Sequence, residues 1–230
     1  IVHLDVVIKS ILDQTVKPDK IYLCIPKICK RVNIGYIIPN WLNNIPNIEI
    51  IRMEEDLGPI NKLIPAWLKE RHQDNTRIII IDDDYIYPSH MIESLVSWSN
   101  KMPKAAIGLH GIIMENKLSV IPVLTYKINA PCRVDYTVGY SGVLFRAGFF
   151  NDSILDYSNA PSGAFFEDDV WIGGQLDRVN VDRFIIPTEN NRLRPTMYMV
   201  VNNTIGLCNA ENRDGKNRDA VFEYLFKKEH

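Results

Sequence analysis

Apolar positions along the chain follow two periods. Leu4, Val7, Ile8, Ile11 and Leu12 fall at i, i+3, i+4, i+7 and i+8, one stripe of an amphipathic helix, so the sequence starts inside a helix. After a turn at Val16-Lys17-Pro18-Asp19, the run Ile21-Tyr22-Leu23-Cys24-Ile25 is apolar on both alternating faces, as in a fully buried strand. Helix then strand is half of a βαβ unit, and a parallel sheet wants a strand before that helix. None is written before Ile1, so a first strand is expected to be cut off or missing from this sequence. Further strands are expected at 48–52, 77–81, 105–109 and 183–187, with helices near 60–71, 89–100, 168–177 and 217–227. This alternation predicts an α/β three-layer sandwich, a central, mostly parallel sheet flanked by helices. Residues 110–146 carry Gly, Pro and β-formers without helical periodicity and read as irregular strands and loops over one end of the sheet.

Composition narrows the class. The chain has 230 residues, 46% of them hydrophobic, and shows no internal repeat or dividing linker, so residues 1–230 are expected to form one domain with a real core. Lys plus Arg number 26 and Asp plus Glu 28, a balance of −2, with no block of five like charges. That excludes a polyanion binder or a charged membrane tether, and nucleic acid is not an expected partner. Cys24, Cys29, Cys132 and Cys208 form neither a CxxC metal site nor a disulfide framework, which favours a reducing, cytoplasmic setting. No apolar run approaches the roughly 18 residues of a membrane span, and a soluble protein is expected.

Candidate chemistry lies in carboxylates. Ile78-Ile79-Ile80-Ile81 runs into Asp82-Asp83-Asp84, and a strand that buried must emerge where its charges begin. At the carboxyl end of a parallel strand such side chains reach the crevice where α/β proteins bind ligands, and Asp82 and Asp84 would share a face. Three adjacent carboxylates repel one another, and Mg²⁺ or Mn²⁺ is a usual remedy. The alternative is a solvated turn or a cap before Pro88. A second cluster, Glu167-Asp168-Asp169, follows Phe165-Phe166 and opens an apparent helix. Acids at a helix start are ordinary dipole complements, but flanking aromatics can exclude water and lift a carboxylate toward a general base.

Three stretches together resemble the GT-A-fold, DxD-containing nucleotide-sugar glycosyltransferases of the inverting, family-2-like kind. IIIIDDDYIYP is similar to their DxD motif, EDDVWIGGQL to the later acidic motif carrying the catalytic base, and Asp56-Leu57-Gly58-Pro59-Ile60-Asn61-Lys62-Leu63 to a DxGPxxKL stretch. The helix and strand HLDVVIKSILDQTVKPDKIYL also match, and in that family the helix follows a first strand whose loop contacts the nucleotide. The likeness extends to domains of multidomain enzymes from large DNA viruses of algae, which implies further domains in a longer chain and a host cytoplasm.

The resemblance implies a nucleotide-binding part over about 1–104 and an acceptor and catalytic part over about 105–230. It implies transfer of a sugar from a nucleoside-diphosphate donor, a UDP-sugar foremost, to a glycan hydroxyl with inversion, using Mn²⁺ or Mg²⁺. Asp84 would be the direct metal ligand with Asp82 beside it; Asp56, Lys62, Asp82 and Asp83 would face the nucleotide. Asp169 would be the base, with Asp168 inheriting the role if the register slips. His110, Gly142 and Trp171 would line the donor or acceptor pocket, and His230 is a candidate third metal ligand. Arg192, Arg194, Arg213, Lys216 and Arg218 would close over the diphosphate, or else form a solvated loop. Two further readings stay open: a metal-dependent nucleotidyltransferase, and a non-catalytic module that binds nucleotide sugars. Gly139-Tyr140-Ser141-Gly142-Val143 lacks the last glycine of a GxSxG elbow, which argues against serine hydrolysis.

Overall fold

A computed structural model of the chain describes residues 4–116, 119–188, 193, 196–197, 211–212 and 214–226. The predicted first helix forms as α1, Leu4–Leu12, and buries Leu4, Val7, Ile8 and Ile11. It leads to β1, Ile21–Pro26, then the short strands β2, Ile28–Cys29, and β3, Ile34–Gly35, and then β4, Ile48–Met53. A 3₁₀ turn at Pro59–Lys62 precedes α2, Ile64–Glu70, where the sequence reads as one helix from 60 to 71. Next come β5, Arg77–Ile80, β6, Tyr85–Ile86, α3, Met91–Lys101, β7, Ala105–Gly108, β8, His110–Asn116, and β9, Ser119–Leu124. The remainder comprises β10, Cys132–Arg133, β11, Tyr136–Thr137, β12, Val143–Arg146, α4, Asp168–Arg178, β13, Asp182–Ile185, β14, Thr196–Met197, and α5, Lys216–Leu225.

The central sheet has five strands in the order β10-β13-β7-β12-β5. Only β13 and β7 pair in parallel, with Phe184 opposite Ile107, and the other three pairings are antiparallel. The mostly parallel sheet expected from sequence is therefore corrected to a mixed one. The cause is β12, which lies between β7 and β5 although it belongs to the stretch read as irregular. Val143, Leu144 and Phe145 are each 0% exposed, so this short apolar run occupies the middle of the sheet rather than covering its end. The other strands of that stretch do behave as a cover, since β8 pairs with β9 and β11 in a separate antiparallel sheet. A second correction concerns β1. Among the described residues it pairs only with β4, in parallel, and Ile21 through Cys24 are half-buried rather than fully enclosed.

Both faces of the central sheet are covered, which explains the consecutive isoleucines. Ile78 and Ile80 of β5, Ala106 of β7 and Val143 and Phe145 of β12 pack with Trp67 of α2 and Trp171 of α4. Ile79 and Ile81, with Ala105, Ile107 and Leu144, pack the other way, against Val7 and Ile11 of α1 and Met91, Ile92 and Leu95 of α3. The period-2 alternation of a strand thus divides one apolar run between two cores, and the three layers are helix, sheet and helix. Among the described residues, no helix is long and apolar enough to cross a membrane, and Cys24, Cys29 and Cys132 are free thiols.

Candidate active site

The carboxyl ends of β1, β4 and β5 meet the start of α4 around one cleft. Asp56, Lys62, Asp82, Asp83, Asp84, His110, Asp168 and Asp169 all line it. Strand β5 ends at Ile80, and the chain turns over Asp83 and Asp84 before β6. Asp83 and Asp84 are exposed there, as the alternative reading of a solvated turn describes, whereas Asp82 turns inward. Lys62, from the turn before α2, places its Nζ 2.5 Å from Asp82 Oδ1 and 3.2 Å from Asp168 Oδ2. Asp169 Oδ1 accepts the backbone N–H of Gly139 at 2.9 Å.

Charge balance in this group is set by burial. Burial works to strip the proton from Lys62, but Asp168, Asp82 and Asp169 outweigh it and hold the ammonium well above the ordinary lysine range. One ammonium cannot neutralise Asp82, Asp168 and Asp169 together. Asp168, ion-paired to Lys62, is raised above the usual carboxylate range, first by burial and then by Asp82. Asp169 is raised well above it, by burial and by the charge of Asp168. Asp84 rises to about 6, from partial burial and then from the charges of Asp82 and Asp83. Glu167 rises to about 7, for burial and for Asp168. His110 falls to about 4 through burial and is neutral near pH 7; its Nδ1 lies 2.9 Å from the Tyr140 hydroxyl.

Several roles expected from sequence are changed. Asp56 spends its carboxylate on its own loop, where Oδ1 accepts from Gly58 N and Asn61 Nδ2 and Oδ2 accepts from Lys30 N. It therefore ties the segment after β1 to the segment after β4. Gly58 makes that turn at φ +83, and a Cβ there would meet the Phe165 carbonyl at 2.3 Å. Trp171 is not in the pocket. It is fully buried, stacked on Tyr157 with ring centroids 4.1 Å apart, and donates its Nε1–H to Ile154 O. Two residues on from Asp169 along α4 is more than half a helical turn, so Trp171 points into the core. Gly142 also faces inward, at φ +93, where a Cβ would meet Met91 Sδ at 2.8 Å. The glycine at the site is Gly139, whose Cβ would lie 2.8 Å from Lys62 Nζ and 3.0 Å from Asp169 Oδ1.

Tyr87, which no motif in the sequence marks, fixes the acidic turn. Its hydroxyl accepts the Asp82 N–H at 2.9 Å and lies 2.9 Å from Tyr140 O. Tyr140 stacks on Tyr85 at 4.7 Å, giving the cleft an aromatic wall beside His110. Tyr85-Ile86-Tyr87 was visible as an alternating aromatic run, but only folding shows that Tyr87 points back at Asp82. Ser141 is buried and donates to Val138 O, in keeping with the argument against serine hydrolysis. Lys216 pairs with Asp214 at the surface, while Arg218 lines the cleft and pairs with Asp219. Arg192, Arg194, Arg213 and His230 lie outside the described residues.

Fit to a divalent cation can be judged from the donors. Among the described residues no three His, Cys, Asp or Glu side chains are gathered as an all-protein cage. Magnesium-like sites seldom need one, because such ions keep waters and take one or two carboxylates beside substrate phosphates. Asp84, exposed and carrying the repulsion of two neighbouring acids, meets that requirement; Asp82 already has Lys62 on one oxygen. No family model matches the chain, and no curated protein matches its sequence.

Proposed function

We propose that this domain is a GT-A-type, metal-dependent inverting glycosyltransferase that moves a sugar from a nucleoside diphosphate, a UDP-sugar foremost, to a hydroxyl of a glycan. The observation that carries this reading is convergence. Residues of the three stretches that resemble the family, among them Asp56 and Lys62, Asp82 to Asp84, and Glu167 to Asp169, lie far apart in sequence yet line one cleft. Within it Lys62 joins all three by pairing with Asp82 and Asp168.

The chemistry follows from the charges. Lys62 is a buried cation that stays charged, and it fixes Asp82 and Asp168 beside the place where a diphosphate would sit. Asp84, with Asp82 behind it, would hold Mn²⁺ or Mg²⁺, which offsets the charge that develops on the leaving diphosphate. Asp169 is the base. A carboxylate whose proton affinity is raised well above the ordinary range takes a proton from an attacking hydroxyl more readily than a normal aspartate. The Gly139 N–H holds its Oδ1 in place. Neutral His110 and the Tyr85–Tyr140 stack suit the apolar face and hydroxyls of a sugar. Free thiols fit a cytoplasmic setting.

The test is thermal-shift binding of nucleoside diphosphates and nucleotide sugars, with and without Mn²⁺, followed by transfer assays with the best donor. A nucleotide should raise the Tm only with metal, and Asp84→Ala should abolish the rise. Asp169→Asn should keep binding and lose transfer. Retained transfer in Asp169→Asn, or binding indifferent to both metal and Asp84, refutes the reading.

A further inference from the structure

Large apolar side chains on the outside of this protein are gathered in one place. Among the described residues nine are exposed, and five of them, Ile28, Val32, Ile34, Tyr36 and Ile37, fall within ten consecutive positions. Single exposed hydrophobes are ordinary, but a contiguous group marks a binding surface. These five belong to the β2–β3 hairpin and the residues just after it. Ile28 lies opposite Gly35, and Cys29 opposite Ile34. Directly opposed residues share a face, so Ile28 and Ile34 point to opposite faces, and they are 53% and 64% exposed. Ile37, beyond β3, is 87% exposed. The hairpin is firmly held. The Lys27 N–H donates to Met53 O at 2.9 Å and the Lys30 N–H to Asp56 Oδ2 at 2.8 Å. Asn33 closes the loop at φ +53, its N–H donating to Cys29 O. The apolar tips are therefore projected into solvent from a fixed support.

Charge on the hairpin is one-sided. Residues 27–37 hold Lys27, Lys30 and Arg31 and no acid, although the chain as a whole is near neutral. Lys27 pairs with Glu54 and Lys30 with Glu55, all well exposed, and such pairs give way readily to competing anions. Arg31 reaches Glu211 at 3.7 Å. We propose that this hairpin docks the protein on an anionic lipid surface. Ile28, Val32, Ile34 and Ile37 enter the boundary between headgroups and acyl chains, and the three cations meet lipid phosphates. The two faces decide between a bilayer and a protein. A rigid partner covers one face of a hairpin and leaves the other wet, whereas a fluid apolar boundary surrounds both Ile28 and Ile34. The near-zero charge of the whole chain argues only against a tether held by charge alone. Here apolar side chains supply the hold, and the cations select the lipid. The hairpin backbone costs little at that depth, because β2 and β3 hydrogen-bond each other. Cys29, Arg31 and Tyr36 of the same segment line the cleft that holds the carboxylates, so a bilayer gripped by Ile34 and Ile37 lies beside that cleft.

Vesicle flotation tests this with lipid alone. The protein should float with vesicles of phosphatidylcholine carrying about a quarter phosphatidylglycerol, half of it bound at roughly 1 mM lipid or less. Omitting the phosphatidylglycerol should weaken binding by about tenfold or more. Ile34→Ser/Ile37→Ser, at exposed positions, should keep the parent Tm and weaken binding at least about tenfold. Leu68→Ser/Ile121→Ser, exposed apolar residues elsewhere, should bind as the parent does. No binding of the parent to anionic vesicles overturns the proposal. So does binding indifferent to phosphatidylglycerol, or equal binding by the two double variants. A parent that is a dimer in solution, returned to monomer by Ile34→Ser/Ile37→Ser, would assign the surface to a second copy, and the proposal falls. None of these readouts involves a nucleotide or sugar transfer, so the outcome is separate from that of the proposed activity.

Discussion

Replacing Lys62 by methionine removes a cation while keeping most of its volume. The Lys62 side chain is 16% exposed and that of Asp168 9%, so the change leaves a buried carboxylate without its partner. Breaking a buried pair from one side costs about 3–5 kcal/mol. For a chain of this size that corresponds to a fall in Tm of roughly 10 °C. The sign with pH follows from the acids. Asp168 and Asp169 hold their protons more tightly in the folded protein than the ordinary carboxyl at 3.8, and without Lys62 they do so more strongly still. The folded state then binds more protons than the unfolded one, and stability falls as pH rises. Urea unfolding followed by tryptophan fluorescence should therefore show a deficit that is large at pH 8 and smaller at pH 5. The double variant Lys62→Met/Asp168→Asn should recover at least half of it. A loss below about 1 kcal/mol, or a deficit equal at both pH values, would show that Lys62 and Asp168 do not form a buried pair.

Trp171→Ala should cost about 3–5 kcal/mol in urea unfolding, whereas Trp171→Phe should leave nucleotide affinity within twofold of the parent; a large affinity loss in the folded Phe variant would return Trp171 to the pocket. Gly139→Ala pushes a methyl against Lys62 Nζ, a flexible chain end, so the Tm should drop by only a few degrees while transfer is lost; unchanged transfer would remove Gly139 from the site. Glu167, raised from 4.5 to about 7, keeps its proton in the folded protein over a range where the unfolded chain has released it. It therefore costs stability progressively between about pH 4.5 and 7, a gap worth on the order of 3 kcal/mol. Glu167→Gln should be more stable than the parent at pH 8 and equal to it at pH 4, and an equal difference at both would contradict the shift.

Local patterns carried much of this architecture. The stripe from Leu4 to Leu12, the apolar runs at 48–52, 77–81 and 105–109 and the acids at the start of α4 are short-range features, and each formed the element its spacing predicted within a few residues. Burial on both faces of β5 was likewise legible, because four consecutive isoleucines have no solvent-facing side. Which acids became site residues was less so. Asp56 and Asp82 look alike in sequence, yet one closes a loop on Lys30, Gly58 and Asn61 and the other meets a lysine from 20 positions upstream. Trp171 and Asp169 sit two residues apart on one helix, and only the direction in which that helix is laid on the sheet sends one to the core and the other to the cleft. Sheet order was equally out of reach. Val143-Leu144-Phe145 is too short to declare itself, and its central antiparallel position depends on partners more than 30 residues away. Spacing along a chain determines which face a side chain takes within its own element. Only packing between elements decides what that face meets, and with it the charge each acid carries.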